Sequence, residues 1–414
     1  MFSEMPHLYL HVPFCARRCS YCDFSIAVRK RVPAEEYVVL IQRELELVRA
    51  ADPGPTARGL IGNDAGPLLF EPRGTLKDSL SVAAPGSADR GLETLYLGGG
   101  TPSLLPADAL ATLLTILRDA FHGTPSLDAV EVTLEANPED VTPDNAVAWR
   151  RAGVNRVSLG AQSFDDRVLR WMHRSHDAAR IGDAVGILRR AGITNVSLDL
   201  IFALPAELGR DWGRDLDHAL ALEPSHLSLY GLTVEQRTPL ARWISRGAAT
   251  APDDERYAAE YLQAHSRLAT CGYRFYEVSN AARDGWRSRH NAAYWSGQPY
   301  VGCGPAAHSF DGRTRRWNLA AWEAYRHAVA TGRSPIASEE VLTHEQRELE
   351  RVYLSLRTAE GLRLTAPYRL LPSLTVWVDR GWVEIRNERL VCTPEGWLRL
   401  DALVGDLTGR HATA

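Results

Sequence analysis

The sequence predicts an α/β protein, a six-unit partial (β/α) barrel carrying a small α/β, winged-helix-like appendage at its C-terminal end. Three observations carry that expectation. Short apolar runs at 8–12, 92–98, 129–135, 154–160, 194–202 and 225–232 read as strands of a parallel sheet covered by helices. Helical stripes lie between them: Leu110, Leu113, Leu114 and Leu117, then Ile181, Ala184, Val185 and Leu188, all at i, i+3, i+4, i+7 spacing. Six such units suit an open, curved barrel better than the closed eight-unit form.

In chain order, the strand at 8–12 runs directly into a cysteine cluster, and Pro33 opens a helix over about 34–50. Residues 51–90 are rich in Gly and Pro and lose all apolar period, which reads as a mobile surface insertion. The βα alternation then resumes. Beyond it, 253–270 reads as a helix and 273–310 is rich in aromatics, Gly and Asn. Leu349, Val352, Tyr353 and Leu356 share one helix face, Trp382–Arg386 and Arg389–Cys392 form a hairpin turning at Asn387-Glu388, and Thr393-Pro394 starts a last helix. The expected domains are a barrel (1–245, with the insertion), an aromatic-rich cover (246–335) and the appendage (336–414).

The 414 residues are 45% hydrophobic and 24% charged, a globular composition. Lys plus Arg is 47 against 51 Asp plus Glu, net −4, so no global field holds nucleic acid or an anionic membrane. A winged-helix-like region raises nucleic-acid binding as a separate reading. Residues 341–414 balance ten Arg against ten Asp plus Glu, however, and leave no basic footprint. No apolar run approaches the roughly 18–20 residues of a membrane span, and residues 1–14 lack a signal-peptide pattern. The expectation is a cytoplasmic protein with no membrane span, leaving peripheral membrane contact open.

Three of the six cysteines fall within eight residues: Cys15-Ala-Arg-Arg-Cys19-Ser-Tyr21-Cys22, a Cys-x3-Cys-x2-Cys spacing. Thiolates suit iron–sulfur clusters and zinc. Three of them can hold three corners of a cubane and leave one iron open, whereas a closed zinc site wants four ligands. His11 is the nearest fourth ligand for zinc, but no second ligand pair stands at zinc-finger spacing. The ligand logic favours an open 4Fe-4S cluster over zinc or unliganded thiols.

Polar residues at the strand ends form a second set. Gly98-Gly99-Gly100-Thr101 ends the second strand, where glycines let backbone approach a ligand. Glu135 ends the third, Gln162 the fourth, and Arg174 follows as a fork for a carboxylate. Asp199 interrupts the apolar fifth strand, a costly placement unless it is paired. Each could equally be a cap or a structural pair.

Together these motifs resemble the radical S-adenosylmethionine (radical SAM) superfamily, and within it the branch of oxygen-independent coproporphyrinogen III oxidases and HemW haem chaperones. The resemblance implies a radical SAM-type partial barrel whose open iron binds S-adenosylmethionine, which is then cleaved to a 5′-deoxyadenosyl radical. It makes Cys15, Cys19 and Cys22 the metal ligands. It assigns Tyr9, Tyr21, Gly99, Gly100, Thr101, Glu135, Gln162, Arg174 and Asp199 to S-adenosylmethionine. Some of these positions line a second nucleotide site in that branch.

Two details separate the subfamilies. The oxidases carry a further cysteine two residues after the third; here that position is Phe24, as in the chaperones. The segment His290-Asn-Ala-Ala-Tyr294-Trp295, followed by Gly302-Cys-Gly-Pro-Ala-Ala-His308-Ser, contains the His-Asn-x-x-Tyr-Trp signature of the HemW group. An imidazole can ligate haem iron and the aromatics offer flat surface to a macrocycle. Read from the residues alone, an aromatic packing cluster around a hydrogen-bonded core histidine fits as well. Cys303 departs from the apolar residue usual there and adds a soft donor. The resemblance thus implies a haem chaperone with His290 as haem ligand, delivering haem to an unidentified acceptor protein and drawing on an electron donor protein. The alternative is oxidative decarboxylation of coproporphyrinogen III.

Overall fold

The computed structural model describes residues 5–51, 91–121, 124, 126–365, 368 and 372–409. Apart from Ala51, the insertion expected at 51–90 lies outside the described residues. Six parallel strands pair side by side in chain order: β1 (His7–Val12), β2 (Thr94–Gly99), β3 (Glu131–Ala136), β4 (Arg156–Gln162), β5 (Asn195–Phe202) and β6 (His226–Gly231). Beyond β6, the antiparallel strands β7 (Arg274–Glu277) and β8 (Asn280–Ala282) extend one edge, with β8 next to β6. Beyond β1, β9 (Tyr300–Cys303) pairs in parallel, followed antiparallel by β10 (His308–Phe310), β11 (Thr314–Asn318) and β12 (Ile336–Val341). The described residues thus form one open 12-stranded sheet. Its hydrogen bonding runs across both boundaries drawn from the sequence: the aromatic-rich segment flanks the barrel strands within the same sheet, and β12 is its edge strand.

Side-chain alternation explains why six short strands suffice. Leu95 and Leu97, Val132 and Leu134, Val157 and Leu159, Val196 and Leu198, and Leu227 and Leu229 are fully or almost fully buried in the main apolar core. Both predicted apolar stripes, 110–117 and 181–188, bury their four residues in the same core. Neighbours along a strand point to opposite faces. The intervening Thr94, Tyr96, Thr133, Glu135, Arg156, Ser158, Ser197, Asp199, His226 and Ser228 therefore share the other face. That face is a polar interior, and the expectation of strands covered by helices holds for one face only.

The C-terminal region packs helix His344–Arg357, strand β13 (Leu362–Arg363), helix Pro372–Asp379 and the hairpin β14 (Val383–Arg386) and β15 (Arg389–Cys392) in winged-helix order, with β15 central. Asn387 and Glu388 both take positive φ, 48° and 61°, the turn whose twist matches the flanking strands. Thr393 caps the following turn by accepting from the Gly396 N–H. No helix among the described residues is long and apolar enough to cross a membrane.

Candidate functional site

The chain leaves β1 through Pro13 and pairs Phe14–Cys15 with Ala27–Val28, so the cysteine loop is tied at both ends. Cys15, Cys19 and Cys22 line one cavity of about 380 Å³ at the C-terminal ends of the strands, a size typical of cofactor sites. Tyr21, Gly99, Gly100, Thr101, Glu135, Gln162, Arg174 and Asp199 line it as well. Of the residues assigned to S-adenosylmethionine, only Tyr9 does not. Its ring lies beside Tyr96 and His290 and lines a second cavity.

The donor set suits an iron–sulfur cluster. All three cysteines are unpaired thiols. The Thr101 hydroxyl donates to Cys15 Sγ at 3.3 Å, and an Arg174 guanidinium nitrogen to Cys19 Sγ at 3.5 Å. Burial pushes the Cys15 thiol up against the Thr101 bond, and pushes Cys22 up to about 11. Thiolates here need countercharge, and Arg174 supplies it. Among the described residues no three His, Cys, Asp or Glu side chains converge on a single-ion point. His11, the zinc alternative, is engaged elsewhere: its Nε2–H donates to the Ser25 carbonyl at 3.1 Å, leaving Nδ1 to accept from the Tyr9 hydroxyl at 3.1 Å.

The glycines act differently from the expected ligand contact. The Gly99 N–H donates to Glu135 Oε2 at 3.0 Å, Gly100 N–H to the Val12 carbonyl at 2.8 Å and Thr101 N–H to the Phe14 carbonyl at 2.8 Å. Their backbone donors are spent inside the protein. A Cβ on Gly99, at φ +105°, would fall 2.5 Å from the His11 ring; one on Gly100 would fall 2.7 Å from the Phe14 carbonyl oxygen. These glycines let β2 close against the cysteine loop.

Each polar candidate is held by neighbours. Glu135 accepts from the Tyr96 hydroxyl at 2.9 Å as well as from Gly99. Burial raises its carboxyl to about 7, with Asp199 adding to the rise and those two bonds opposing it. Asp199 accepts from Ser158 at 3.0 Å and from Ser197 at 3.3 Å; burial raises it, and hydroxyl bonds oppose. Gln162 takes φ +66° at a break in the β4–β5 register. Such a bulge re-aims a side chain at a site, and a non-glycine left-handed residue persists only where its surroundings hold it. Arg174 also donates to Asn137 Oδ1 and, at 3.1 Å, to the Gly160 carbonyl; its Nε is buried with no partner among the described residues.

Asn137, Ser158 and Tyr230 also line this cavity and were not singled out from the sequence as ligand-binding residues; Glu139 lines it too. The signal for Ser158 was present: Glu135 pairs with Ser158 and Ser158 with Ser197, so period-two polar positions form a row across the sheet. Glu139 is committed: burial would raise it, but bonds from His176 and Ser175 bring it down to about 2. Phe24 is 60% exposed and lines the cavity beside the cysteines.

His290 differs most from its expected role. It is 1% exposed, with Nδ1 hydrogen-bonded to Thr94 at 2.7 Å and Nε2 to the Tyr294 hydroxyl at 2.9 Å. Its ring stacks on Tyr96 at 5.0 Å, and burial lowers its pKa to about 3. This is the hydrogen-bonded core histidine of the alternative reading. In this arrangement neither ring nitrogen is free to reach an iron, because each already holds a partner. Tyr294 and Trp295 of the same motif do line the second cavity, of about 740 Å³. Cys303 is fully buried, and burial pushes its thiol well up.

The open parallel sheet with three cysteines after β1 defines a radical SAM protein. The radical SAM superfamily model matches residues 71–219. The heme chaperone HemW of Mycobacterium tuberculosis is 37% identical over 97% of this chain and 94% of its own length. The heme chaperone HemW of Bacillus subtilis is 30% identical over 98% of this chain and 100% of its own. The solved coproporphyrinogen III oxidase HemN of Escherichia coli superposes with a TM-score of 0.73, covering 99% of this chain and 90% of that one at 21% identity, a likeness of fold. The chain belongs to the HemW heme chaperone family.

Proposed function

We propose that the protein is a haem chaperone. Cys15, Cys19 and Cys22 hold a 4Fe-4S cluster, S-adenosylmethionine occupies the same cavity, and haem is bound elsewhere on the molecule and passed to an acceptor protein. One observation carries this reading: the three cysteines and eight of the nine proposed S-adenosylmethionine residues line a single cavity, with apolar Phe24 where the oxidases have a further cysteine. The match to HemW proteins over nearly the whole chain supports it. Residues 1–245 house the cluster, while 246–335 and 336–414, together with Tyr9 and His11, build the haem side.

The chain's own residues suggest a division of labour. Arg174 sits against Cys19 and faces the cavity, where it can balance thiolate charge and grip a carboxylate. Glu135, raised to about 7, ionises more readily beside a ligand ammonium. Asp199, steadied by Ser158 and Ser197, accepts from ligand hydroxyls, and Gln162 offers both donor and acceptor to an adenine. Bound S-adenosylmethionine and cluster supply one-electron cleavage of the sulfonium. Phe24 keeps the cavity mouth apolar.

The test pairs two assays on protein reconstituted without oxygen. Haem titration should give saturable binding, and coproporphyrinogen III should not be decarboxylated. Robust vinyl-group formation would replace the chaperone reading with the oxidase.

A further inference from the structure

The second cavity, about 740 Å³, lies between the Arg289–Trp295 helix, strands β9 and β10, and helix His344–Arg357. Its size is within the roughly 300–1,000 Å³ of small-molecule and cofactor sites. It shares no lining residue with the cysteine cavity. The walls are aromatic, with Tyr294, Trp295, Tyr300 and Phe310, and the Trp295 indole N–H has no partner among the described residues.

Two imidazoles line it, His11 and His308. Both nitrogens of His11 are bonded. His308 is exposed, stacks on Trp317 at 6.0 Å, and neither of its ring nitrogens makes a hydrogen bond among the described residues. Its backbone is fixed by the glycine-rich turn that precedes it. A Cβ on Gly302 would fall 2.0 Å from the His308 carbonyl oxygen, and the Gly302 N–H donates to Ser309 at 2.9 Å. The turn Gly302–His308 thus presents a neutral, unengaged imidazole on a rigid strand. Burial and Arg315 both lower its pKa, keeping a nitrogen lone pair free for a metal.

The same cavity is lined with arginines. Arg347 has no side-chain partner among the described residues, while Arg315 pairs with Glu350 at 2.8 Å and Arg351 with Glu348 at 2.6 Å. Flat aromatic walls, one free imidazole and one free guanidinium complement a planar iron macrocycle bearing carboxylates.

We propose that this cavity is the haem site, with His308 as an axial iron ligand and Arg347 pairing with a haem propionate. The proposal rests on the haem-chaperone reading and places His290 behind the site, where it positions Tyr294.

The test titrates the full-length protein with haemin, following the Soret band and the spin state. Four forms are compared: wild type, His308→Ala, His290→Phe and Arg347→Glu. His308→Ala should lose the histidine-ligated spectrum, recover it with added imidazole, and melt like wild type because the ring makes no hydrogen bond. His290→Phe should keep the wild-type ligand spectrum. Arg347→Glu should keep it too and weaken binding about tenfold, the scale of one charge-assisted contact. That loss should vanish with haem dimethyl ester. A His308→Ala spectrum and affinity identical to wild type would overturn the ligand assignment and leave the chaperone reading standing. Failure of wild type to bind haemin would overturn both.

Discussion

The two cavities are built on opposite principles. The cysteine cavity gathers its residues from a single periodic device. Strand ends of β1 to β5 deliver the cysteine loop, Gly99, Glu135, Gln162 and Asp199 to one place because parallel strands in chain order all end on one side. The aromatic cavity has no such period. It joins Tyr9 of β1, a short helix at 289–295, strands β9 and β10 and a helix some fifty residues further on. The first is readable as spaced motifs, whereas the second exists only where distant segments meet. The lesson is that motif spacing reports sites made by repetition but names only part of a site made by a junction, here Tyr294 and Trp295.

The sharpest way to break that comparison is the triple change Cys15→Ala, Cys19→Ala and Cys22→Ala. After anaerobic reconstitution it should lose all cluster iron and visible cluster absorption, while haemin titration stays unchanged, since the cavities share no residue. Retained iron would remove the cluster assignment; lost haem binding would show the two sites to be coupled.

A smaller effect is expected at the glycines. Gly100→Ala would drive a Cβ against the carbonyl oxygens of Val12 and Phe14, backbone atoms that cannot swing aside. The cost should be about 2–3 kcal/mol, in the range for strained or overpacked sites, together with poor cluster reconstitution. Gly182→Ala, with its nearest atom 3.6 Å away in a helix, should instead be neutral or stabilise by up to about 1 kcal/mol. Equal melting temperatures would mean that close packing at Gly100 is not why glycine stands there.

The smallest effect concerns Glu135. Its carboxyl is raised from 4.5 to about 7 by burial. A raised carboxyl favours the fold below its unfolded value and loses that contribution as pH climbs through the folded one. Wild type should therefore lose stability between about pH 4.5 and 7 relative to Glu135→Gln. Parallel pH–stability curves for the two would show the carboxyl to be ordinary. S-adenosylmethionine binding should weaken in the variant, more so at pH 8 than at pH 6, where the wild-type side chain is itself largely neutral.

Much of the architecture was legible from local pattern. The six strands, the two apolar helix stripes, the hairpin turn at Asn387-Glu388 and the Thr393 cap all appear within a residue or two of their expected places. Each depends on interactions between residues close in the chain. What escaped was of longer range. The polar inner face was hidden because alternation with leucines makes a strand read as mostly apolar. The β9–β12 strands joined the main sheet rather than a separate cover, since pairing partners are not written in either strand alone.

By itself, then, the sequence determined the strand and helix order, the cysteine spacing and the polar positions Glu135, Gln162 and Asp199 of the cysteine cavity, because these follow from local spacing and strand periodicity. Only the tertiary structure decided which histidine is available. His290 carries the recognisable motif, yet Thr94 and Tyr294 occupy both its nitrogens. His308, in the segment that follows the motif and given no role from the sequence, stands open to a cavity. The physical reason is that a ring nitrogen is free or taken according to partners far away in the chain, and only folding brings those partners within hydrogen-bond reach.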